Sequence, residues 1–513
     1  MAEADGALIA AADAYREAMA RDSASVEIAS RAYRQAVLAG DKALALQAAL
    51  SLDAAGALPR DATVLLLVDA LDGGKWDEAR AVIDRLEREE NFAFIVPFMK
   101  SWVSLRDGPY DPPVVPVEKP YAVFAVRYLE EQLLLQRLAA GDAQGAVDAY
   151  VQARQRGTAF GPEQRGRFAA RFAALGRRDV ALDLLSADAG GASGAEEALK
   201  RAIQQYKKTR FTPQAGIALL MHRLALDLFG QGDGTATLSI ARMASFADPD
   251  NQDIRVVVSR AALAADAPEI ARSVAEQVPL RSFAWFDAQA IGLRALLEQG
   301  RGAEAVTQAR QMAQAGTDPR AWRLLGDMLA ETDEFAGAAD AYARARDLIG
   351  DREDPALQLQ LGGALERSGR WAEAKPLLER VVALAPDSAA ALNHLGYAMA
   401  ERGEDLPRAI SLLERANRLR PKEPAFVDSL GWALFRAGQP EKALPLIQSA
   451  VAADPGQPEL SEHLGDILWN MGRRFEARYA WEAALTVMGE DTPKLRERIA
   501  RKLADAGVFT FAP

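Results

Sequence analysis

Pro424-Ala425-Phe426-Val427-Asp428-Ser429-Leu430-Gly431-Trp432-Ala433-Leu434 opens a unit that continues through Ala443, Ile447 and Ala450 to Pro455. Counted from Pro424, apolar residues stand at places four, seven and eleven, then at twenty, twenty-four and twenty-seven, with a glycine at eight. Each triplet steps by three and four residues, the spacing of one face of an α-helix. Gly431 and Ala443 present almost no side chain, so the two helices can approach closely. Pro455 lacks an amide donor and ends the second helix, and Ala437-Gly438-Gln439 supplies the bend between the two. The unit predicts two antiparallel helices nested through their small residues.

The unit recurs. Leu325-Gly326, Leu361-Gly362, Leu395-Gly396, Leu430-Gly431 and Leu464-Gly465 place their glycines 36, 34, 35 and 34 residues apart, and Ala338, Ala374, Ala409, Ala443 and Ala477 follow them. A period of this length marks stacked helical hairpins. With Trp322, Tyr342, Pro355, Leu365, Leu378, Val381 and Pro386, these residues resemble the tetratricopeptide repeat. Upstream the pattern is degenerate. Inter-helix turns are still readable at Gly40-Asp41, Gly74-Lys75, Gly141-Asp142, Gly176-Arg177 and Gly300-Arg301, so most of the chain is expected to form one array of at most about fifteen hairpins.

The expected fold is all-α: a tetratricopeptide-repeat superhelical solenoid of antiparallel helix pairs with a C-terminal capping helix. The expected divisions are 1–106, degenerate repeats; 107–120, a proline-rich excursion; 121–317, further degenerate repeats; 318–488, five regular units; and 489–513, a capping helix and tail. The excursion holds five prolines, from Pro109 to Pro120, and cannot be helical; a long helix, Tyr121 to Ala140, follows it. The stretch Ala187 to Gly194 reads as a flexible loop. Near the end, Thr492 and Pro493 begin a helix. There Leu495, Ile499 and Leu503 form a stripe to cover the last repeat, opposite a water-facing side of Arg496, Glu497, Arg498, Arg501 and Lys502. The apolar tail Val508–Pro513 folds back or engages a partner. Residues Ala7 to Ala18 read as a second helix without its first, which predicts that a native start lies upstream of Met1.

Composition bounds the chemistry. Half the residues are apolar and 26% charged, and no uninterrupted apolar run approaches bilayer-spanning length. There are no cysteines, which excludes disulfides and thiolate metal sites. A net charge of -11 argues against nucleic acid, which requires a basic stripe. Basic clusters at Arg165, Arg167 and Arg171, and at Lys200, Arg201, Lys207, Lys208 and Arg210, read as solvated helix faces.

His222, His394 and His463 sit in separate units with no metal spacing and read as ordinary helix residues. Neither a nucleophile elbow nor a phosphate loop is present. Gly230, Gly232 and Gly234 follow a helix rather than a strand and read as a turn; Asp248, Asp250 and Asp253 lack the glycine and glutamate of a calcium loop. No catalytic, cofactor or metal residues are nominated.

The resemblance implies that places two, five, nine, twelve and thirteen of each first helix line a concave surface that binds a partner. In the five units these places hold eight acidic and four basic residues, with aromatics gathered at Tyr397, Trp432, Phe435 and Trp469. The nominated partner-binding residues are Arg323, Asp327, Asn393, Tyr397, Asp428, Trp432, Phe435, Arg436, Glu462 and Asp466. The family's familiar carboxylate clamp of lysines, arginines and asparagines does not match. An aromatic floor beside acids favours a protein or peptide segment with apolar and positive side chains.

The expected function is a non-catalytic protein-interaction scaffold. The runs Leu392–Tyr397, Asp428–Trp432 and His463–Arg478 resemble proteobacterial repeat proteins made with export signals, which implies a periplasmic or envelope-assembly role. A cytoplasmic regulatory subunit is the alternative, and a helical-solenoid enzyme with paired carboxylates is a third reading.

Overall fold

A computed structural model describes residues 2–106, 110–186, 192–206, 211–350, 352–489 and 493–506. The described residues form helices joined by short links, with no strand among them. They fall into two compact units, Met1–Ala305 and Val306–Pro513. No described helix is long and apolar enough to cross a membrane.

The first unit begins with α1 (Ala2–Arg21), α2 (Val26–Ala39), α3 (Lys42–Ala54), α4 (Ala62–Asp72), α5 (Trp76–Arg88) and α6 (Val96–Ser104). Residues 110–120 carry no helix. Then come α7 (Ala122–Ala140), α8 (Ala143–Gln155), α9 (Pro162–Ala174), α10 (Arg178–Ser186) and α11 (Ala192–Tyr206). The unit continues with α12 (Pro213–Phe229), α13 (Gly234–Ala247), α14 (Gln252–Ala264), α15 (Pro268–Glu276) and α16 (Trp285–Glu298), and the boundary falls inside α17 (Gly302–Gln314). Residues 187–191 and 207–210 lie outside the described residues, as does the Pro109 end of the proline-rich stretch; the loop expected over Ala187 to Gly194 is corrected at its far end, where 192–194 open α11.

A simple solenoid touches only its sequence neighbours. The first unit does more: α12 and α13 pack back against α2, α4, α6 and α7, and α14 against α9. Gly216 makes the α12–α6 contact possible, because a Cβ there would sit 2.1 Å from the ring of the fully buried Trp102. Polar side chains on α7 are buried by the same packing. Gln132 accepts from Trp102 Nε1 at 2.8 Å, Tyr128 donates to Asp227 at 2.8 Å, and Glu131 accepts from Gln164 at 3.0 Å. Buried polar groups must be bonded to be tolerated, so this network fixes which faces of α7, α9 and α12 meet.

The first basic cluster is turned inward instead of facing solvent. Arg171 Nε donates to the Leu138 carbonyl at 2.9 Å, and the Arg167 guanidinium lies 3.4 Å from Asp248. The carbonyl and the acid satisfy groups that burial has taken from water. Asp253 accepts from the Gln164 backbone at 2.7 Å, which explains an acid otherwise resembling a loop ligand.

The second unit holds the regular repeats. The first helices are α18 (Pro319–Glu331), α20 (Pro355–Arg367), α22 (Ala389–Arg402), α24 (Pro424–Arg436) and α26 (Pro458–Asn470), interleaved with second helices α19 (Phe335–Ile349), α21 (Trp371–Leu384), α23 (Leu406–Leu419), α25 (Pro440–Ala453) and α27 (Arg474–Val487). The last described helix is α28 (Pro493–Asp505). Its expected cap, Thr492, and the tail from 507 lie outside the described residues.

Within every pair a large side chain of the second helix lies on the glycine of the first. A Cβ added at Gly326, Gly362, Gly396, Gly431 or Gly465 would stand 2.5, 2.7, 2.7, 2.8 or 2.3 Å from Tyr342, Leu378, Leu413, Ile447 or Trp481. The matching alanines Ala338, Ala374, Ala409, Ala443 and Ala477 are fully buried. At the bend, Gly438 has φ +75°, while Asp333 adopts φ +60° at the corresponding place of the first pair; glycine takes this conformation without a Cβ penalty.

Trp481 is a rigid, buried ring and cannot step aside. Gly465→Ala is therefore expected to destabilise the second unit by about 1–3 kcal/mol through overpacking, read as a fall in the urea midpoint. Gly456→Ala, in an exposed link, should change it by less than about 0.5 kcal/mol. Equal effects would refute the nesting role.

Candidate functional site

The nominated surface residues lie on the first helices of the second unit, and side-chain bonds tie these helices to their successors. Asp327 on α18 accepts from Tyr342 at 2.8 Å and from Gln360 on α20 at 2.7 Å. Glu366 on α20 pairs with Arg402 at the end of α22 at 2.6 Å. Glu401 on α22 accepts from Trp432 Nε1 on α24, and the Arg436 guanidinium lies 3.7 Å away. Asp428 on α24 lies 2.9 Å from His463 Nδ1 on α26, and His463 stacks on Trp432 at 4.1 Å between ring centroids.

The same pattern runs into α28. Glu462 on α26 accepts from Arg498 at 2.5 Å and from Lys502 at 2.6 Å, and Lys502 also reaches Asp466 at 2.6 Å. Leu495 and Ile499 of the same helix are buried. Arg498, 58% exposed as a water-facing residue is expected to be, and the more covered Lys502 are also the cations that neutralise the inner acids of the last repeat. A carboxylate as buried as Glu462, 1% exposed, requires such partners.

Of the ten nominated residues, Asp428, Trp432 and Glu462 are buried and bonded within the chain. Arg323, Asp327, Asn393, Tyr397, Phe435, Arg436 and Asp466 keep part of their surface open. Arg323 lies 3.5 Å from Asp354. Asn393 Oδ1 is buried with no hydrogen-bond partner among the described residues. Phe435 and Asp466 are brought together with Trp469, Asn470, Trp481 and Lys502 around a cavity of about 400 Å³.

The sequence nominates none of His463, Trp481, Arg498 and Lys502 as site residues, reading His463 as an ordinary helix residue and Arg498 and Lys502 as water-facing. One signal for His463 was available: it stands one place past the acid position and 35 residues after Asp428. Gly363 gives a similar signal for His394, whose Cε1 lies 2.8 Å from where a Cβ would sit.

The charges tune one another. Burial would pull the His463 imidazole down, but the Asp428 bond and the charges of Asp428, Glu462 and Asp466 outweigh it and hold the group above its ordinary 6.5. Burial raises Glu462, yet the bonds to Arg498 and Lys502 leave it below the usual carboxylate range. Burial raises Asp466, and the neighbouring charge of Glu462 adds to it against the pull of Lys502. The ensemble is a set of interlocking ion pairs with an aromatic cavity at its open edge.

Because the folded value of His463 lies above the unfolded one, its pairing stabilises fully below about pH 6.5. That contribution is lost as pH rises through the folded value. The urea midpoint of the second unit is expected to fall as pH is raised from about 6 towards about 9, and Asp428→Asn should flatten the dependence. An unchanged slope in the variant would contradict the pairing.

The tetratricopeptide-repeat family model matches residues 293–355, 359–424 and 429–493. No curated protein matches the chain. Among solved structures, a thermophilic tetratricopeptide-repeat protein of Thermus thermophilus is 25% identical, covering 36% of this chain and 99% of its own, with a TM-score of 0.33. A tetratricopeptide-repeat protein from Parabacteroides merdae is 13% identical over 50% of this chain and 98% of its own, TM-score 0.41. MamA from Desulfovibrio magneticus is 20% identical over 34% and 96%, TM-score 0.29. The matched segments, the glycine contacts and the paired helices together identify residues 293–493 as tetratricopeptide repeats, a protein-interaction scaffold in general character.

Proposed function

We propose that the chain is a non-catalytic scaffold that holds a protein segment on the inner face of its C-terminal repeats, centred on Phe435, Trp469 and Asp466. The observation that carries this reading is the cavity of about 400 Å³ where those three side chains meet Trp481 and Asn470. Half-buried aromatics in a concave site are the anchors from which interfaces draw most of their energy. The chemistry of the occupant is indicated by α28 itself, which seats apolar Leu495 and Ile499 and presents Arg498 and Lys502 to the acids. A partner segment that is apolar and basic meets the parts of Phe435, Trp469 and Asp466 that α28 leaves open.

Envelope assembly is the setting we assign, supported by the resemblance of the Leu392–Tyr397, Asp428–Trp432 and His463–Arg478 runs to exported repeat proteins. Recovery of the native protein in the envelope fraction is expected; recovery only in the cytoplasm would favour the regulatory-subunit reading.

A photo-crosslinking residue placed at Phe435 or Asn470 should capture a discrete protein partner in cells. The same residue at Tyr479, 73% exposed on α27, should not. Capture from Tyr479 alone would move the site to another face and overturn the proposal.

A further inference from the structure

The first unit contains a second concave feature of different chemistry. The α2–α3 link, α13, α14, α15 and Arg301 surround a cavity of about 480 Å³. Its wall carries four guanidinium groups, Arg242, Arg255, Arg272 and Arg301, against one carboxylate, Glu269.

Arg242 is the decisive member. It is 6% exposed, and its Nη2 donates to the Leu38 carbonyl at 3.1 Å. Its Nε is buried with no partner among the described residues, and burial alone governs its acidity, with no carboxylate acting on it. Burial pulls the guanidinium down to about 10, so it remains charged at neutral pH. Holding such a charge away from water without a counter-charge costs several kcal/mol.

Gly40 makes the placement possible. The residue has φ +82°, and a Cβ there would stand 2.7 Å from Arg242 Nη1 and 2.8 Å from its Cζ. Any side chain at position 40 would therefore displace the guanidinium from the cavity wall. The other three arginines each have a carboxylate within ion-pair distance, unlike Arg242. Arg272 lies 3.6 Å from Glu276, and Arg255 lies 3.9 Å from Asp250, whose side chain is 99% exposed. Arg301 is paired with Glu304 at 2.6 Å. A recess whose wall holds four guanidinium groups to one carboxylate concentrates anions, and guanidinium forks match phosphate and carboxylate oxygens.

We propose that this cavity binds a small multivalent anion carrying phosphate or carboxylate groups, with Arg242 as its buried contact and Arg272 and Arg301 at its rim. The site is independent of the C-terminal face and uses none of its residues. The missing counter-charge of Arg242 is supplied by the ligand, which couples binding to the stability of the first unit.

The test uses the full chain with pyrophosphate and citrate as probes, against sodium chloride of equal ionic strength. At least one probe is expected to raise the thermal midpoint above the chloride control and to give a saturable heat in titration calorimetry. A response to pyrophosphate alone assigns phosphate chemistry, and one to citrate alone assigns carboxylate chemistry. Arg242→Met removes the charge at similar length; it should weaken binding at least about tenfold while keeping or raising the ligand-free midpoint. Arg272→Gln, at the rim, keeps the test decisive should the first variant fold poorly, and is expected to weaken binding severalfold. No probe-specific response in the wild-type chain, or undiminished binding in Arg272→Gln and in folded Arg242→Met, would overturn the proposal.

Discussion

The second unit rests on one contact made five times: a large side chain of each second helix laid on a bare glycine of the first. Tyr342, Leu378, Leu413, Ile447 and Trp481 differ in shape, yet each occupies the space that a Cβ on its partner glycine would need. The helices are held close enough that dispersion and burial act over the whole pair. That proximity also fixes the rotation of each first helix about its axis. Its remaining polar residues are consequently pointed at the next first helix, and the inner face inherits its order from the glycines.

On that inner face the residues serve the stack before they serve any partner. Acids at places five and nine bond forward to the next unit: Asp327 to Gln360, Asp428 to His463, and Glu462 to Arg498. α28 therefore acts as the first helix of a further pair, ending the series by satisfying the acids that the last repeat would otherwise leave unbonded. Removing the partners of a buried carboxylate such as Glu462 costs about 3–5 kcal/mol in comparable cases. The aromatic cavity lies beside these ion pairs, where Phe435, Trp469 and Trp481 meet the Lys502–Asp466 pair.

Much of this was legible in the sequence, for reasons that can be stated. Gly431 and Ala443 were readable because close helix packing tolerates nothing larger, and Pro355 and Pro424 because proline suits a first helical turn. The role of Asp428, Trp432 and Glu462 was less legible. Places five and nine point both to the groove and to the neighbouring helix, and spacing alone does not say which contact prevails. In the first unit, Glu131, Gln132 and Gln136 resemble solvated helix residues; α6, α9 and α12 gathering on α7 supply their partners, and the one local sign of the α6–α12 approach is Gly216, without which Trp102 would clash. Arg242 was illegible for the same reason, since its environment is built by residues some 204 positions away.

The central claim is that ion pairs on the inner face transmit order from α28 into the repeats. Amide hydrogen exchange on the full chain and on an Arg498→Ala, Lys502→Ala double variant measures this directly. The account predicts lost protection in α26 and α28, a smaller loss in α24, and none in α18 and α20. Identical exchange in the two proteins, or a uniform loss from α18 to α28, would contradict it.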